Sequence, residues 1–269
     1  MRIGKREFAV SGKTYVMGIL NVTPDSFSDG GAWNGKDRAL FHAERMIRQG
    51  ADILDVGGES TRPGHIRISD EEEAARVIPV VKALKAQFDI PLSVDTYKSE
   101  VAKAAIDAGA DLINDIWGLK ADPKMAEVIA EAGVPCCLMH NRNNTAYRQY
   151  LPEVLSDLNE CLCMADRAGI AREKIILDPG IGFGKTYEQN MTIMNRLEML
   201  HDLGCPILLG TSRKSMIGLT LDLPVDQREE GTLVTTVMAV QKGCMFVRVH
   251  NVEANVRAIQ MTEAIQRYI

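Results

Sequence analysis

Eight short apolar segments recur along this chain and alternate with eight longer segments of helical periodicity. Six of the helical segments are followed directly by glycine, which commonly ends helices. The apolar segments are 15–20, 52–56, 91–94, 111–113, 134–139, 174–177, 206–209 and 245–249. The helical segments are 36–49, 70–87, 99–108, 123–132, 151–168, 188–203, 229–242 and 252–267. The chain therefore repeats one unit of strand and helix along its length.

Short apolar strands that alternate with helices indicate a parallel sheet with helices on both faces. Eight such units within 269 residues suit a closed (β/α)8 barrel, the TIM barrel, better than an open doubly wound sheet, which usually has fewer strands. We therefore expect an α/β fold in which residues 1–269 form a single barrel domain. Residues 3–10, followed by a turn at Ser11 and Gly12, predict an N-terminal β-hairpin that closes the bottom of the barrel.

Composition excludes several classes of protein. With 46% hydrophobic and 25% charged residues, the chain has the composition of a globular protein rather than a disordered one. A net charge of −5 gives no general attraction to nucleic acid, so we expect any anion site to be local. The cysteines include no Cys-x-x-Cys pair, the N-terminus lacks the apolar core of a signal peptide, and no apolar run reaches the ~18 residues of a membrane span. We expect a cytoplasmic protein without nucleic-acid or membrane partners.

Polar residues follow the apolar segments where the strands are predicted to end. The active site of a (β/α)8 barrel lies at these carboxyl ends, so the residues there are candidates for function. Each alone could begin a turn or cap a helix, but turns do not require the cationic side chains of Arg62, Lys214 and Arg248 at one rim. The candidates are Asn21, Asp95, Asn114, Asp115, His140, Asn141, Asp178, Arg248 and His250, with the segments 57–64 and 210–215.

The last apolar segment places two cationic or potentially cationic side chains on one face. Alternation in the sequence FVRVH puts Arg248 and His250 on the face that Phe246 shares, and the two valines on the other face. Together with Arg62 and the backbone amides at a helix start, these side chains are suited to a phosphate or pyrophosphate group.

The position of Asp178 predicts that the site binds a heterocyclic ring. At a strand end before Pro179, its two oxygens would be an acceptor pair for an amine beside a ring N–H, as in a 2-amino-4-oxo heterocycle. Asn114 offers a donor and an acceptor, and Lys214 could donate to the carbonyl oxygen. The sequence GIGFGKT at 180–186 resembles a nucleotide-binding Walker A loop. Because that pattern's first glycine would fall on Pro179, we expect no nucleoside triphosphate site.

Seven phrases of the sequence together resemble dihydropteroate synthase. They occur in the order typical of that family and extend over nearly the whole chain. The phrases are LNVTPDSFSDGG (20–31), GGESTRPG (57–64), SVDTYK (93–98), INDIWG (113–118), DPGIGFGK (178–185), LGTSRKSMIG (209–218) and RVHNV (248–252). The resemblance implies a transferase of folate biosynthesis. Such an enzyme joins 6-hydroxymethyl-7,8-dihydropterin pyrophosphate to 4-aminobenzoate and releases 7,8-dihydropteroate and pyrophosphate.

The resemblance also implies roles for individual residues and a homodimer. The residues expected to hold or surround the pterin are Asp95, Asn114, Met139, Asp178, Phe183, Gly210, Lys214 and Arg248. The pyrophosphate is expected to be bound by Asn21, Arg62, Arg248 and His250, and Mg²⁺ by Asn21. The 4-aminobenzoate is expected to lie beside Phe27, Ser28, Thr61, Arg62, Pro63, Phe183, Ser212 and Lys214. The residues assigned to catalysis are Asn21, Asp95, Lys214 and Arg248, and mobile loops are expected at 21–35 and 57–68.

Two features depart from the pattern of many relatives. Asn141 and Arg142 follow His140 in a loop that differs from the usual one, and the resemblance gives them no role. Asn251 stands where many relatives have Asp, which removes none of the expected ligands.

Two other functions would use a similar pterin site. One is a pterin-dependent methyltransferase that passes a methyl group to a corrinoid protein, and the other is a non-catalytic pterin-binding module. The methyltransferase has little use for Arg62 with Thr61 and Pro63 in a pyrophosphate loop. A binding module would not need the leaving-group residues Asn21, Arg62 and His250. The sequence therefore favours the synthase activity.

Overall fold

The computed structural model describes residues 1–23, 35–59 and 67–268, and within them strands and helices alternate. The strands are β1 Arg2–Ile3, β2 Arg6–Glu7, β3 Tyr15–Asn21, β4 Ile53–Gly57, β5 Leu92–Asp95, β6 Leu112–Asp115, β7 Cys136–Met139, β8 Ile175–Asp178, β9 Leu208–Leu209 and β10 Phe246–Val249. The α-helices are α1 Gly35–Arg48, α2 Asp70–Gln87, α3 Ser99–Asp107, α4 Met125–Ala132, α5 Tyr150–Ala168, α6 Tyr187–Asn195, α7 Ser215–Leu221, α8 Glu229–Gln241 and α9 Val252–Gln266. Short 3₁₀ helices cover Arg172–Lys174, Leu197–Leu203 and Val225–Gln227.

Strands β3 to β10 form one parallel sheet in the order β8-β7-β6-β5-β4-β3-β10-β9. The two edges meet where Leu177 forms a parallel bridge with Ile207. The Leu177 N–H also donates to the Pro206 carbonyl at 2.9 Å. Apolar side chains between the strands and the outer helices form the larger core. The predicted (β/α)8 barrel is confirmed.

Strands β1 and β2 form an N-terminal hairpin, with Ile3 paired to Arg6. Its turn lies at Gly4 and Lys5, so the predicted turn at Ser11 and Gly12 was wrong. Ile3 and Phe8 are buried in the apolar cluster at the lower end of the barrel interior. The Phe8 ring lies 4.9 Å from the Tyr15 ring and 5.6 Å from the Phe246 ring, measured between ring centres. Because these aromatic rings begin the first and last barrel strands, the hairpin closes the bottom of the barrel.

Two helical predictions were wrong in detail. The predicted helix 188–203 is interrupted at Arg196, whose φ of −120° is not helical, and a 3₁₀ helix follows. Leu197 and Leu200 in that segment are both buried, and their spacing of three residues suits the three-residue turn of a 3₁₀ helix. Helix α7 was not predicted, because its seven residues include the exposed Leu219 and Leu221 and therefore lack an apolar stripe.

All six glycines predicted to follow helices have positive φ angles, the left-handed conformation that commonly ends a helix. None of the helices in the described part of the chain is both long and apolar enough to span a membrane.

Candidate active site

The inside of the barrel has an apolar lower layer and a polar upper layer. Side chains on a strand alternate, so residues two apart face the same side. The lower apolar cluster includes, from β4, β6, β8 and β10, the inward residues Ile53, Leu112, Ile176 and Phe246. Two residues further along the same strands are Asp55, Asn114, Asp178 and Arg248. On each of these strands, the inward side chain is therefore apolar in the lower layer and polar two residues later, in the upper layer.

Arg248 lies between two carboxylates of the polar layer. Its Nε donates to Asp55 Oδ2 at 2.6 Å, and its Nη2 donates to Asp95 Oδ2 at 2.8 Å. Asp55 also accepts hydrogen bonds from Ser93 Oγ at 2.5 Å and from Asn114 Nδ2 at 3.4 Å. These contacts fix the guanidinium group inside the barrel, as strand alternation predicted for the side chain of Arg248.

One carboxylate oxygen of Asp95 has no hydrogen-bond partner in the part of the chain that the structure describes. This atom, Oδ1, is buried. Burial raises the pKa of Asp95 to about 7, while the charge of Arg248 opposes the increase. An unsatisfied buried oxygen costs free energy, so a ligand N–H placed at Oδ1 would be stabilising.

Asp55 is a site residue that the sequence did not predict. It lies within an apolar strand rather than at a strand end, where the functional residues of a barrel are expected. The available signal was its position two residues after Ile53, which places a carboxylate on the inward face of the barrel.

Asp178 and Lys214 both lie close to Gly210. A Cβ atom at Gly210 would be 3.6 Å from Asp178 Oδ2 and 3.9 Å from Lys214 Nζ. Asp178 Oδ1 accepts the Gly180 N–H at 2.6 Å. Burial raises the pKa of Asp178, opposed by the charge of Lys214, and burial lowers the pKa of Lys214 to about 8, opposed by Asp178. The pair therefore stabilises both charges, and the absence of a side chain at Gly210 leaves room for a flat ligand next to them.

Lys214 also contacts the loop that follows β8. Its Nζ donates to the Ile181 carbonyl at 2.5 Å and lies 4.8 Å from the centre of the Phe183 ring. Phe183 packs against the small apolar cluster at the rim that contains Met139. The structure thus brings together, as the sequence predicted, Met139, Asp178, Phe183, Gly210 and Lys214.

Ser212 and His250 form a pair that links β9 to β10. The His250 backbone N–H donates to Ser212 Oγ at 3.2 Å, and Ser212 Oγ lies 2.9 Å from His250 Nδ1. With its oxygen accepting from the backbone, the Ser212 hydroxyl can donate its hydrogen to Nδ1. In neutral His250 the proton is then on Nε2, which makes Nε2 a donor. The sequence predicts Ser212 beside the 4-aminobenzoate. In the structure Ser212 contacts His250, which the sequence predicts to bind the pyrophosphate.

Asn21 ends β3 beside Gly57 at the end of β4. A Cβ atom at Gly57 would lie 3.4 Å from Asn21 Oδ1 and 3.9 Å from Asp95 Oδ2. Across the described ranges, no three histidine, cysteine or acidic side chains form a cluster that could hold a metal. Mg²⁺ commonly keeps several waters and binds through one or two protein oxygens plus substrate phosphates. The amide oxygen of Asn21 is therefore a suitable single protein ligand for Mg²⁺ that arrives with a pyrophosphate.

Asn141 and Arg142 have structural contacts. Asn141 Nδ2 donates to the Ile116 carbonyl at 3.1 Å. Arg142 Nε donates to Asp157 at 2.6 Å, and its Nη1 donates to Glu153 at 3.0 Å. These bonds tie the loop after β7 to its neighbours, which gives roles to two residues that the sequence left without one.

The remaining predicted site residues, Phe27, Ser28, Thr61, Arg62 and Pro63, lie outside the described residues. Most of the two predicted loops, 21–35 and 57–68, lies there as well.

Comparison with known proteins identifies the family. A family model described as pterin binding enzyme matches residues 17–250. The chain is 61% identical over 268 residues to dihydropteroate synthase of Clostridium beijerinckii, an alignment that covers 99% of this chain and 100% of that relative. This chain belongs to the dihydropteroate synthase family. It is accordingly a transferase of folate biosynthesis that joins 6-hydroxymethyl-7,8-dihydropterin pyrophosphate to 4-aminobenzoate.

Solved structures of dihydropteroate synthases superpose on the whole barrel. One is the enzyme from Clostridium difficile in the presence of pteroic acid, with a TM-score of 0.93, 50% identity and coverage of 99% of both chains. Another is the enzyme from Xanthomonas albilineans with 4-aminobenzoic acid, with a TM-score of 0.91, 44% identity and coverage of 94% of this chain and 93% of that one. These relatives support the synthase activity over the methyltransferase and the non-catalytic binding module.

Proposed function

We propose that the polar layer of the barrel holds the dihydropterin ring. The rim above this layer binds the pyrophosphate group, which leaves when the carbon–oxygen bond breaks. The observation that carries this proposal is the buried Oδ1 of Asp95, which has no partner among the described residues, beside the Asp178–Lys214 pair. Acceptors at Asp95 and Asp178 suit the ring N–H groups and the 2-amino group, and Lys214 suits the 4-oxo group. Asn114 can both donate and accept. Met139, Phe183 and Gly210 would border the ring.

The leaving group is proposed to bind at the ends of β3 and β10. Nε2 of His250 can donate to a phosphate oxygen, because Ser212 occupies Nδ1. Asn21 would hold Mg²⁺, which when bound supplies positive charge to the departing pyrophosphate. Arg62 and Arg248 are proposed to add cationic charge to the same group. The 4-aminobenzoate would approach from the side of Phe183, Lys214 and the predicted loops.

We propose that the carbon–oxygen bond breaks before the amine attacks. The electron pair of that bond leaves with the pyrophosphate, and the dihydropterin ring delocalises the positive charge that remains on the methylene carbon. Asp95 would stabilise this cation, since preorganised charge is most effective where charge develops in the transition state. The amine then forms the carbon–nitrogen bond and loses a proton to solvent. A weakly nucleophilic arylamine needs no general base in this sequence of steps.

Isotope exchange tests the order of bond breaking. A dihydropterin pyrophosphate carrying oxygen-18 in the bridge to carbon is incubated with enzyme and Mg²⁺ but without 4-aminobenzoate. Ionisation and return should move the label into non-bridging positions, and slow capture by water should release pyrophosphate. The Asp95→Asn variant should exchange more slowly than wild type. Absence of exchange, with a chemical rate that rises steeply with amine nucleophilicity, would instead establish direct displacement.

A homodimer is proposed from the exposed apolar surface of α7 and α8. Leu219 and Leu221 on α7 are 69% and 44% exposed, and Val234 on α8 is 60% exposed. A Cβ atom at Gly231 would lie 3.3 Å from Leu221, and Gly231 and Val234 are three residues apart on one helix, so these side chains form one patch. In sedimentation velocity, Val234→Glu should give a monomer, whereas Met261→Glu, which alters an equally exposed residue of α9, should not. Equal sedimentation of both variants as dimers would contradict this interface.

A cytoplasmic location is proposed from the cysteines. All six are unpaired thiols, and five of them are buried. Unpaired thiols are typical of reducing compartments, whereas oxidising compartments favour disulfides. Cell fractionation with antibodies against the chain should recover it with cytoplasmic markers, and recovery with an exported fraction would contradict the proposal.

A further inference from the structure

Lys185 is a buried lysine at the end of the loop that follows β8, and three acceptors surround its ammonium nitrogen. Nζ lies 2.7 Å from His140 Nδ1, 3.0 Å from the Gly180 carbonyl oxygen and 2.9 Å from the Phe183 carbonyl oxygen. A lysine ammonium has three hydrogens and no acceptor. Burial lowers the pKa of Lys185 to about 7, opposed by the charge of Asp178. In the protonated form, each hydrogen can be matched to one of these acceptors.

The contact of His140 with Asp157 determines which atom donates to which. Nε2 of His140 lies 3.0 Å from Asp157 Oδ2. Burial alone would raise the pKa of Asp157, but hydrogen bonds from His140 and Arg142 lower it below its usual range, so this carboxylate is ionised and can only accept. His140 must then carry its proton on Nε2, which leaves Nδ1 as an acceptor for Lys185. Burial also lowers the pKa of His140 to about 4, consistent with a neutral ring.

The two carbonyl groups that accept from Lys185 belong to the loop that forms one side of the active site. Gly180 in this loop donates its N–H to Asp178, and Ile181 accepts from Lys214. The loop also packs closely on the end of β7, because a Cβ atom at Gly180, whose φ is +69°, would lie 1.9 Å from the His140 carbonyl oxygen. Lys185 holds the loop from inside the protein, while Lys214 contacts it from the pocket.

We propose that Lys185 is a positioning residue for the aminobenzoate half of the site. By fixing the carbonyl groups at both ends of the turn 180–183, it sets the position of the Phe183 ring and of the Ile181 carbonyl that orients Lys214. Lys185 does not reach the substrates; it acts through these two neighbours. The proposal deepens the proposed function and rests on the placement of 4-aminobenzoate beside Phe183 and Lys214. The pterin is also proposed to meet Phe183 and Lys214, but its acceptors Asp95 and Asp178 lie on strands, so its affinity should fall less than that of 4-aminobenzoate.

The test uses Lys185→Met, which keeps an unbranched apolar chain and removes the ammonium group. We expect the KM for 4-aminobenzoate to rise at least tenfold, whereas the Kd for dihydropterin pyrophosphate, measured by calorimetry, should change less than threefold. Hydrogen exchange should become faster at residues 180–184. The matched control is Lys174→Met, because Lys174 also donates to a glycine carbonyl, that of Gly133 at 2.7 Å, but at the opposite end of β8. It should leave both constants unchanged.

A second variant separates positioning from charge and covers the case in which Lys185→Met does not fold. Lys185→Arg keeps the positive charge, but a planar guanidinium cannot direct one nitrogen at three acceptors. We expect it also to raise the KM for 4-aminobenzoate. Restoration of wild-type kinetics by arginine, an unchanged KM in the folded variants, or an equal loss of affinity for both substrates would each overturn the inference.

Direct variants distinguish failure of this inference from failure of the proposed function. Phe183→Ala and Lys214→Met remove the side chains that are proposed to border the aminobenzoate. If they raise its KM and the Lys185 variants do not, only the positioning role is wrong. If they leave its KM unchanged, the placement of the aminobenzoate and the role of Lys185 fall together.

Discussion

Replacement of Asp178 by asparagine would exchange one oxygen in the floor of the pterin pocket for an amide group of nearly the same shape. The Oδ1 atom of Asp178 accepts the Gly180 N–H at 2.6 Å. In the variant, the amide oxygen keeps this bond, because the backbone can only donate there. The new NH2 group therefore takes the place of Oδ2, which is 3.6 Å from where a Cβ atom of Gly210 would lie. It would face the ring N–H and amino groups of the pterin with a donor.

The size of the effect follows from this conflict between two donors. Leaving a buried polar group without a partner costs about 1–3 kcal/mol. Since about 1.4 kcal/mol corresponds to a tenfold change in Kd, pterin affinity should fall by about 5-fold to 150-fold. Lys214 also loses the carboxylate charge that opposes the effect of burial, so its pKa should fall further below about 8. Pyrophosphate, proposed to bind at Asn21 and His250, meets neither change.

Calorimetry with dihydropterin pyrophosphate, and separately with pyrophosphate and Mg²⁺, measures the two affinities. Asp52→Asn is a matched control, because Asp52 also accepts a backbone N–H, that of Val16 at 2.9 Å, at the lower end of the barrel. Only Asp178→Asn should weaken the pterin ligand. Equal losses of both ligands, or unchanged pterin affinity, would show that Asp178 does not recognise the ring.

The remaining predictions concern the leaving group and the pH dependence of stability. His250→Ala and Arg248→Ala should each weaken binding of Mg²⁺ and pyrophosphate in calorimetry and lower kcat. Arg248→Ala should also lower the free energy of unfolding by about 3–5 kcal/mol in urea titrations, because it leaves two buried carboxylates unpaired. Asn21→Ala should raise the Mg²⁺ concentration needed for half-maximal rate, and chelation of Mg²⁺ should abolish turnover. The pKa of His140 falls from 6.5 to about 4 through burial, so the unfolded state binds the proton first and stability should be lost as pH falls from about 6.5 to 4. In urea titrations between pH 6.5 and 5, wild type should lose about 2 kcal/mol more stability than His140→Gln.

The histidine and asparagine predictions have controls in exposed residues of the same type. His201→Ala and Asn159→Ala alter exposed side chains away from the rim and should leave pyrophosphate binding and the Mg²⁺ requirement unchanged. His201→Gln should retain the pH dependence of stability. Normal pyrophosphate affinity in His250→Ala and Arg248→Ala, an unaltered Mg²⁺ requirement in Asn21→Ala, or the same acid sensitivity in His140→Gln would contradict the corresponding assignment.

The barrel could be predicted because its strands are marked by composition. Strands covered on both faces are apolar throughout, so their runs stand out between helices that end in glycine. The segments that escaped prediction lack such a mark. Helix α7 is short and carries exposed leucines, and the break at Arg196 depends on how Leu197 and Leu200 pack against the barrel. Neither feature alters hydrophobic periodicity in a way that sequence alone reveals.

Site residues at strand ends could be predicted from the sequence. Residues whose roles depend on contacts with residues distant in the sequence could not. Asp178 and Arg248 could be selected by position, since every strand of the barrel ends at the same rim. Ser212 and His250 are 38 residues apart, and their contact exists because β9 and β10 are neighbours in the closed sheet. Lys185 was overlooked for the same reason. Its significance depends on His140, which is 45 residues away in the sequence.

The arrangement of charge in the barrel suits a reaction that separates charge. Asp55, Asp95 and Arg248 together carry a formal charge of −1 when both carboxylates are ionised, and the Asp178–Lys214 pair adds none. A cation that develops on the pterin would therefore neutralise the buried layer, and the hydrophobic floor below it keeps the local dielectric constant low, which strengthens that attraction. The pyrophosphate would leave toward donors at the rim. Because both products of bond breaking would meet opposite charge in fixed positions, the enzyme can favour ionisation without first activating the amine.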